Sequence, residues 1–160
     1  MSSITIREAD QNDCALILGF IKDLAIYEKA LSEVVASEED LRTALFCEHP
    51  KVFALICAID GTAVGFALYF FNYSTWTGKF GLFLEDLYIS SEQRGSGAGK
   101  ALLKHLAQLA VEKNCARFEW NVLTWNEPAI EFYKSFGARP QSEWQGYRLT
   151  GESLRSFAES

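Results

Sequence analysis

The chain has 160 residues, 49% of them apolar and 14% aromatic, which is enough for one hydrophobic core and too apolar for a disordered chain. Its formal charge of -6 repels a phosphate backbone, so no nucleic-acid partner is expected, and it weakly attracts cations, amines among them. Cys14, Cys47, Cys57 and Cys115 form no CxxC pair, only His49 and His105 accompany them, and no apolar run reaches membrane-spanning length. No metal site and no membrane partner are expected. The opening Met1-Ser2-Ser3-Ile4-Thr5 has none of the features of a signal peptide, and the expectation is a cytoplasmic protein with reduced thiols.

Ile4–Arg7 alternates and is expected to form a short strand. Asp10 caps a helix, with Asp13 three residues on, and Ile17, Ile21, Leu24 and Ala25 share one helical face. Ser37-Glu38-Glu39-Asp40 opens a second helix that stops before Pro50. Val52–Ile59 and Thr62–Phe71 are strands joined by the Asp60-Gly61 turn, whose two central positions want positive φ. Gly65 marks a bulge or a close backbone approach. Phe80–Ile89 is the next strand. A helix runs from the glycine-rich turn to about Lys113, with Leu102, Leu103, Leu106, Leu109 and Ala110 on its apolar face. Phe118–Leu123 is expected as a strand. Asn126 caps a helix that Gly137 ends, Trp144–Leu149 forms a last strand, and a short helix closes the chain. This order predicts one α/β domain over residues 1–160, a mixed sheet with helices on both faces.

The turn Arg94-Gly95-Ser96-Gly97-Ala98-Gly99-Lys100 sits between strand and helix, an anion-binding arrangement. The free N–H groups of the first helical turn point outward, and glycines admit a phosphate close to the backbone. A dinucleotide GxGxxG fingerprint needs glycine where Lys100 stands, and a P-loop needs Ser or Thr where Ala101 stands. The pattern [QR]-x-x-G-x-[GA] is met by Arg94, Gly97 and Gly99.

That pattern resembles the acetyl-CoA pyrophosphate loop of the GCN5-related N-acetyltransferases. Tyr73–Lys79, Leu84–Ile89, Trp125–Lys134 and Gly137-Ala138 together resemble the spermidine/spermine (diamine) N-acetyltransferase family, and Tyr73-Ser74-Thr75-Trp76 is similar to its thialysine-acetylating branch. The resemblance implies the acetyltransferase (GNAT) fold with a mostly antiparallel sheet, acetyl-CoA as donor, a small primary amine as acceptor, and a homodimer. It implies that Leu87, Tyr88 and Ile89 offer backbone groups to the pantetheine arm. Arg94, Gly95, Ser96, Gly97, Ala98, Gly99 and Lys100 would hold the pyrophosphate. Asn126, Glu127, Pro128 and Ala129 would touch the cofactor, and Tyr133 would be the general acid. Glu85 would face the amine, and Tyr27, Glu28, Glu119, Trp120 and Asn121 would line its pocket, with Asp86 and Trp76 counted in the acceptor set.

The chemistry suits those residue types. An alkyl amine has a pKa of about 10.4 and arrives protonated, so a carboxylate such as Glu85 is needed to take its proton. A thiol pKa of about 8.5 makes CoA leave more easily when protonated, a task for the Tyr133 hydroxyl. Glu85 and Asp86 are neighbours in a strand, so alternation puts them on opposite faces. Ser74 and Gln145 stand where polyamine-specific relatives carry acids, which predicts a shorter acceptor: thialysine, a lysine-like compound or a small diamine. The alternatives are a true polyamine acetyltransferase and, in another class, a CoA-binding sensor without catalysis.

Overall fold

The computed structural model describes residues 2–160. The chain divides into two compact units, Met1–Asn121 and Val122–Ser160. The first unit holds β1 (Ile4–Glu8), α1 (Cys14–Tyr27), α2 (Glu38–Leu45), β2 (Phe53–Ile59), β3 (Thr62–Ser74), β4 (Lys79–Ile89), α3 (Ala98–Glu112) and β5 (Phe118–Trp120). The sheet order is β1-β2-β3-β4-β5. All pairs are antiparallel except β4 with β5, which run parallel.

Local chemistry sets the element boundaries. The Asp10 side chain accepts from the Asn12 N–H at 2.8 Å, and the Asp10 N–H donates to Asp13 Oδ2 at 2.7 Å. This reciprocal cap starts the turn that feeds α1. Asp13 is buried, and Arg7 of β1 grips it with two bonds of 2.8 and 2.9 Å, tying the first strand to the first helix. Ser37 and Asp40 make the same reciprocal cap at α2. Asp60 and Gly61 have φ of 49° and 84°, the primed turn expected between β2 and β3.

Two layers of apolar side chains sandwich the sheet. Cys14, Ile17 and Phe20 of α1, with Leu41 and Leu45 of α2, pack on Ala54, Ile56, Phe66 and Tyr88. Strand alternation sends Leu55, Cys57 and Ala67 to the other face, where α3 contacts β1, β2 and β4 through buried Leu102, Leu103, Leu106 and Ala110. Gly65 meets both expectations. The β2–β3 register shifts beside it, and a Cβ built there would lie 2.2 Å from the Tyr88 carbonyl oxygen.

The second unit holds α4 (Glu127–Ser135) and α5 (Gly151–Glu159). Asn126 caps α4 by accepting the Ala129 N–H at 3.4 Å, and Gly137, with φ of 95°, ends it. Two strand expectations need correction. The strand expected over Phe118–Leu123 stops at Trp120, and Trp144–Leu149 forms no strand. Strand-forming side chains yield a strand only when a neighbouring strand takes up the backbone groups, and the sheet of the described residues ends at β5. No helix of the described residues is long and apolar enough to cross a membrane.

Candidate active site

The middle of β4 breaks the regular ladder. Asp86 pairs with Leu68 and Leu84 with Tyr69, so Glu85 is an extra residue with no cross-strand partner on β3. The bulge corrects the alternation argument for Glu85 and Asp86. Paired residues share a face, so Leu84 follows Tyr69 and Asp86 follows Leu68, which packs in the α1 layer. The side-chain direction therefore changes across the bulge instead of simply alternating.

On its other side β4 pairs with β5 only from Leu82 to Leu84, the last of these opposite Trp120. Glu85 through Ile89 have no β5 residue opposite them. The bulge and the end of the parallel pairing coincide. Glu119 and Trp120 stand at that point, and the Trp120 ring lies 4.9 Å from that of Phe118.

Asp86 faces a depression of about 210 Å³ whose wall is Ile21, Leu24, Ala25, Glu28, Ala30, Glu33, Val34 and Asp86 itself. Burial, then the nearby charges of Glu85 and Glu28, push the Asp86 carboxyl up to about 6. Burial also raises Glu28. Three carboxylates, Glu28, Glu33 and Asp86, against an aliphatic wall suit a small ammonium ion on an alkyl stem. Glu33, Ile21, Leu24 and Val34 are wall residues that the sequence reading missed. The acid at Glu33, one short turn beyond Glu28, is the signal that was available for the first of them.

Tyr27 does not share this depression. It lines a neighbouring one of about 240 Å³ with Asp23, Ile26, Tyr88, Ser91 and Arg94. The Arg94 guanidinium carbon lies 4.5 Å from the centre of the Tyr27 ring. Tyr88 is buried, which raises its hydroxyl pKa; Asp23 adds to the rise and Arg94 opposes it.

β4 runs into a short turn, Ser91–Gln93, and then into the glycine-rich segment. Gly95 and Gly97 have φ of 84° and 91°, a left-handed backbone that a side chain rarely adopts. The Ala98 N–H donates to Ser96 Oγ at 3.3 Å, and the first helical bond runs from the Ala101 N–H to the Gly97 carbonyl at 2.9 Å. Helix geometry leaves the Gly99 and Lys100 amides at the open end of α3 without acceptors inside the helix. The segment from Arg94 to Lys100 thus forms the expected strand–turn–helix unit.

Other expected residues lie elsewhere. Ser74 pairs with Lys79 at the far end of the β3–β4 hairpin, and Trp76 is 80% exposed in its tip. Six strand positions separate Ser74 from Leu68, the partner of Asp86, a span of roughly 20 Å at about 3.3 Å per residue. Within one chain these residues do not join the Asp86 depression. Asn121 follows β5 and is exposed. Asn126, Glu127, Pro128, Ala129, Tyr133 and Gln145 belong to the second unit. There Tyr133 is half-buried on α4 beside the rings of Phe132 and Phe136, and Gln145 is exposed.

Comparison with known proteins gives one consistent result. Residues 23–138 match the model of the acetyltransferase (GNAT) family. The chain is 41% identical over 169 aligned positions to a thialysine N-epsilon-acetyltransferase of Sus scrofa, with 99% of each chain covered. It is 36% identical to a human spermidine/spermine N(1)-acetyltransferase-like protein 1, covering 99% of this chain and 24% of that longer one. Among solved structures, an integron cassette protein from the mobile metagenome of V. cholerae superposes with a TM-score of 0.82 at 33% identity, with 99% of both chains covered. With the five-stranded mixed sheet, the β4 bulge and the glycine turn in place, the chain belongs to the acetyltransferase (GNAT) family and is an enzyme of that family.

Proposed function

We propose that residues 1–160 act as one domain that transfers the acetyl group of acetyl-CoA directly to a small primary amine: thialysine, a lysine-like compound or a small diamine. The observation that carries this reading is the coincidence on β4 of the bulge at Glu85 and the end of the β5 pairing, followed at once by the glycine turn. An amide-bearing pantetheine arm is suited to an open strand edge at Leu87, Tyr88 and Ile89, as an added strand would be. The pyrophosphate then falls to the cradle of Gly95, Ser96, Gly97, Ala98, Gly99 and Lys100, with Arg94 supplying charge. Asn126, Glu127, Pro128 and Ala129 would complete the cofactor contacts.

In this reading the acceptor ammonium is held by Asp86 and Glu28, and Glu85 removes its proton, directly or through water. The neutral amine attacks the thioester carbon, and the acetyl–sulfur bond breaks as the tetrahedral intermediate collapses. Tyr133 then gives its proton to the departing sulfur, and the second proton that the nitrogen sheds on becoming an amide restores the Tyr133 hydroxyl through solvent. The bulge supports a further element. Glu85 lies outside the β3–β4 register, and in this reading its backbone N–H would serve the carbonyl oxygen as negative charge develops there. No covalent enzyme intermediate is required. A homodimer is part of the same proposal, supported by the family resemblance.

The names of the relatives favour small amines, thialysine among them. The test is stoichiometry. Full-length protein with acetyl-CoA and thialysine is expected to release one thiol for each N-acetyl product. Tight acetyl-CoA binding without thiol release, across thialysine, lysine, putrescine, spermidine and spermine, would replace this reading with that of a CoA-binding sensor.

A further inference from the structure

Tyr27 was expected among the acceptor-binding residues, yet its ring contacts the cofactor turn. The guanidinium carbon of Arg94 lies 4.5 Å from the ring centre, and both side chains line the depression that also includes Asp23, Tyr88 and Ser91. Glu28, the next residue, faces the separate depression of Asp86. The end of α1 therefore presents consecutive side chains to two places, one to the cofactor turn and one to the candidate ammonium site.

We propose that Tyr27 is a positioning residue for cofactor binding, holding the Arg94 guanidinium against its ring so that the N–H edge meets the acetyl-CoA pyrophosphate. This rests on the reading of the turn from Arg94 to Lys100 as the pyrophosphate cradle. The physical basis is that a guanidinium is flat. Stacking on a ring uses its face, while its five N–H donors lie in the plane at its edge. One group can thus stack and chelate phosphate oxygens together. Arg94 belongs to the cradle segment, where a long side chain loses conformational freedom when it engages a ligand. A ring that restricts it beforehand lowers that loss. Asp23 on the rim of the same depression is a competing anion, and a ring that fixes the guanidinium face also limits collapse onto Asp23.

The consequence is that α1 links the two halves of the site. Tyr27 tunes the donor and Glu28 the acceptor from adjacent positions on one rigid helix end.

The experiment measures acetyl-CoA affinity by calorimetry, without amine, for the unmodified chain, Tyr27→Phe, Tyr27→Leu, Arg94→Met and the Tyr27→Leu/Arg94→Met pair. Tyr27→Phe retains a ring and is expected to bind as the unmodified chain does. Tyr27→Leu is expected to weaken binding about two- to fivefold, in line with an exposed cation–π contact. In the Arg94→Met background Tyr27→Leu is expected to add nothing. A second readout is the ratio of kcat/KM for acetyl-CoA to that for acetyl-pantetheine, which lacks the pyrophosphate. Tyr27→Leu should lower this ratio by the same two- to fivefold, whereas a purely acceptor-side role scales both donors alike and leaves the ratio fixed. Normal affinity in Tyr27→Leu alongside weakened Arg94→Met, or additive losses in the pair, overturns the positioning role alone. Unchanged affinity in Arg94→Met overturns it by removing Arg94 from the pyrophosphate contact on which it rests.

Discussion

The carboxyl of Asp86 is pushed up to about 6 because it is partly buried beside Glu85, the unpaired residue of the β4 bulge, with Glu28 adding a further negative charge. In the proposed function, acceptor binding through Asp86 needs its ionised form. The KM for the amine is therefore expected to fall as pH rises through about 6, independently of the deprotonation of the amine at high pH. Asp86→Asn should abolish that limb. The same shift carries a stability cost. Below about pH 4 the carboxyl is protonated in folded and unfolded chains alike. Between about 4 and 6 the unfolded chain ionises first, so folding loses stability as pH rises, and above about 6 the full cost of about 2–3 kcal/mol is present. Asp86→Asn is expected to raise the melting temperature at pH 7.5 and to leave it unchanged at pH 4. A lowered melting temperature at pH 7.5 would contradict this origin for the shift.

Asp13 shows the opposite sign. Its hydrogen bonds to Arg7 hold the carboxyl below the usual range, outweighing the effect of its burial. This contribution is present above the unfolded pKa of about 3.9 and is lost as pH falls towards and below the folded value. Asp13→Ala removes both the Arg7 bridge and the cap on the Asp10 N–H. It is expected to cost about 1–3 kcal/mol in urea unfolding at pH 7, with the difference shrinking in acid. Arg7 is half-exposed, which keeps the figure below that of a fully buried pair.

Gly65 links the fold to the cofactor strand. An added Cβ would meet the Tyr88 carbonyl at 2.2 Å and the Ile89 side chain at 2.6 Å, and neither backbone can yield without moving β4. Gly65→Ala is expected to lower stability by about 1–3 kcal/mol and to weaken acetyl-CoA binding as well, because the displaced residues are those assigned to the pantetheine arm. Calorimetry and urea unfolding on the same preparation measure both effects.

Removal of the Tyr133 hydroxyl isolates the acid step. Tyr133→Phe keeps the ring beside Phe132 and Phe136 and is expected to leave the acetyl-CoA Kd within about twofold while kcat falls about 100-fold. Equal turnover by Tyr133→Phe and the unmodified chain would take Tyr133 out of the acid role.

Much of the architecture was legible from local signals. The Asp10/Asp13 and Ser37/Asp40 caps, the Asp60-Gly61 turn and the Gly95–Gly97 turn are all written in residues a few positions apart, and each forms as the sequence predicts. What depended on distant pairing was not legible. The bulge at Glu85 arises from the register between β3 and β4, and no residue in Leu84–Leu87 announces it. Trp144–Leu149 has strand-forming side chains but lacks the ladder that would make it a strand. The division of Tyr27 and Glu28 between two depressions follows from how the end of α1 meets β4 and the cofactor turn, a tertiary relationship. Composition and periodicity name the carboxylates as candidates; only packing tells that Asp86 is partly buried while its neighbour Glu85 is exposed.

The most direct measurement is a side-by-side determination of kcat/KM for thialysine and spermine at saturating acetyl-CoA, with the acetylated products identified by mass spectrometry. By the family resemblance Ser74 and Gln145 stand where polyamine-specific relatives carry acids, so the proposed reading predicts N-acetylthialysine as the product formed with the higher specificity constant. A clearly higher constant for spermine would contradict the acceptor assignment, and thiol release with neither amine would contradict the catalytic one.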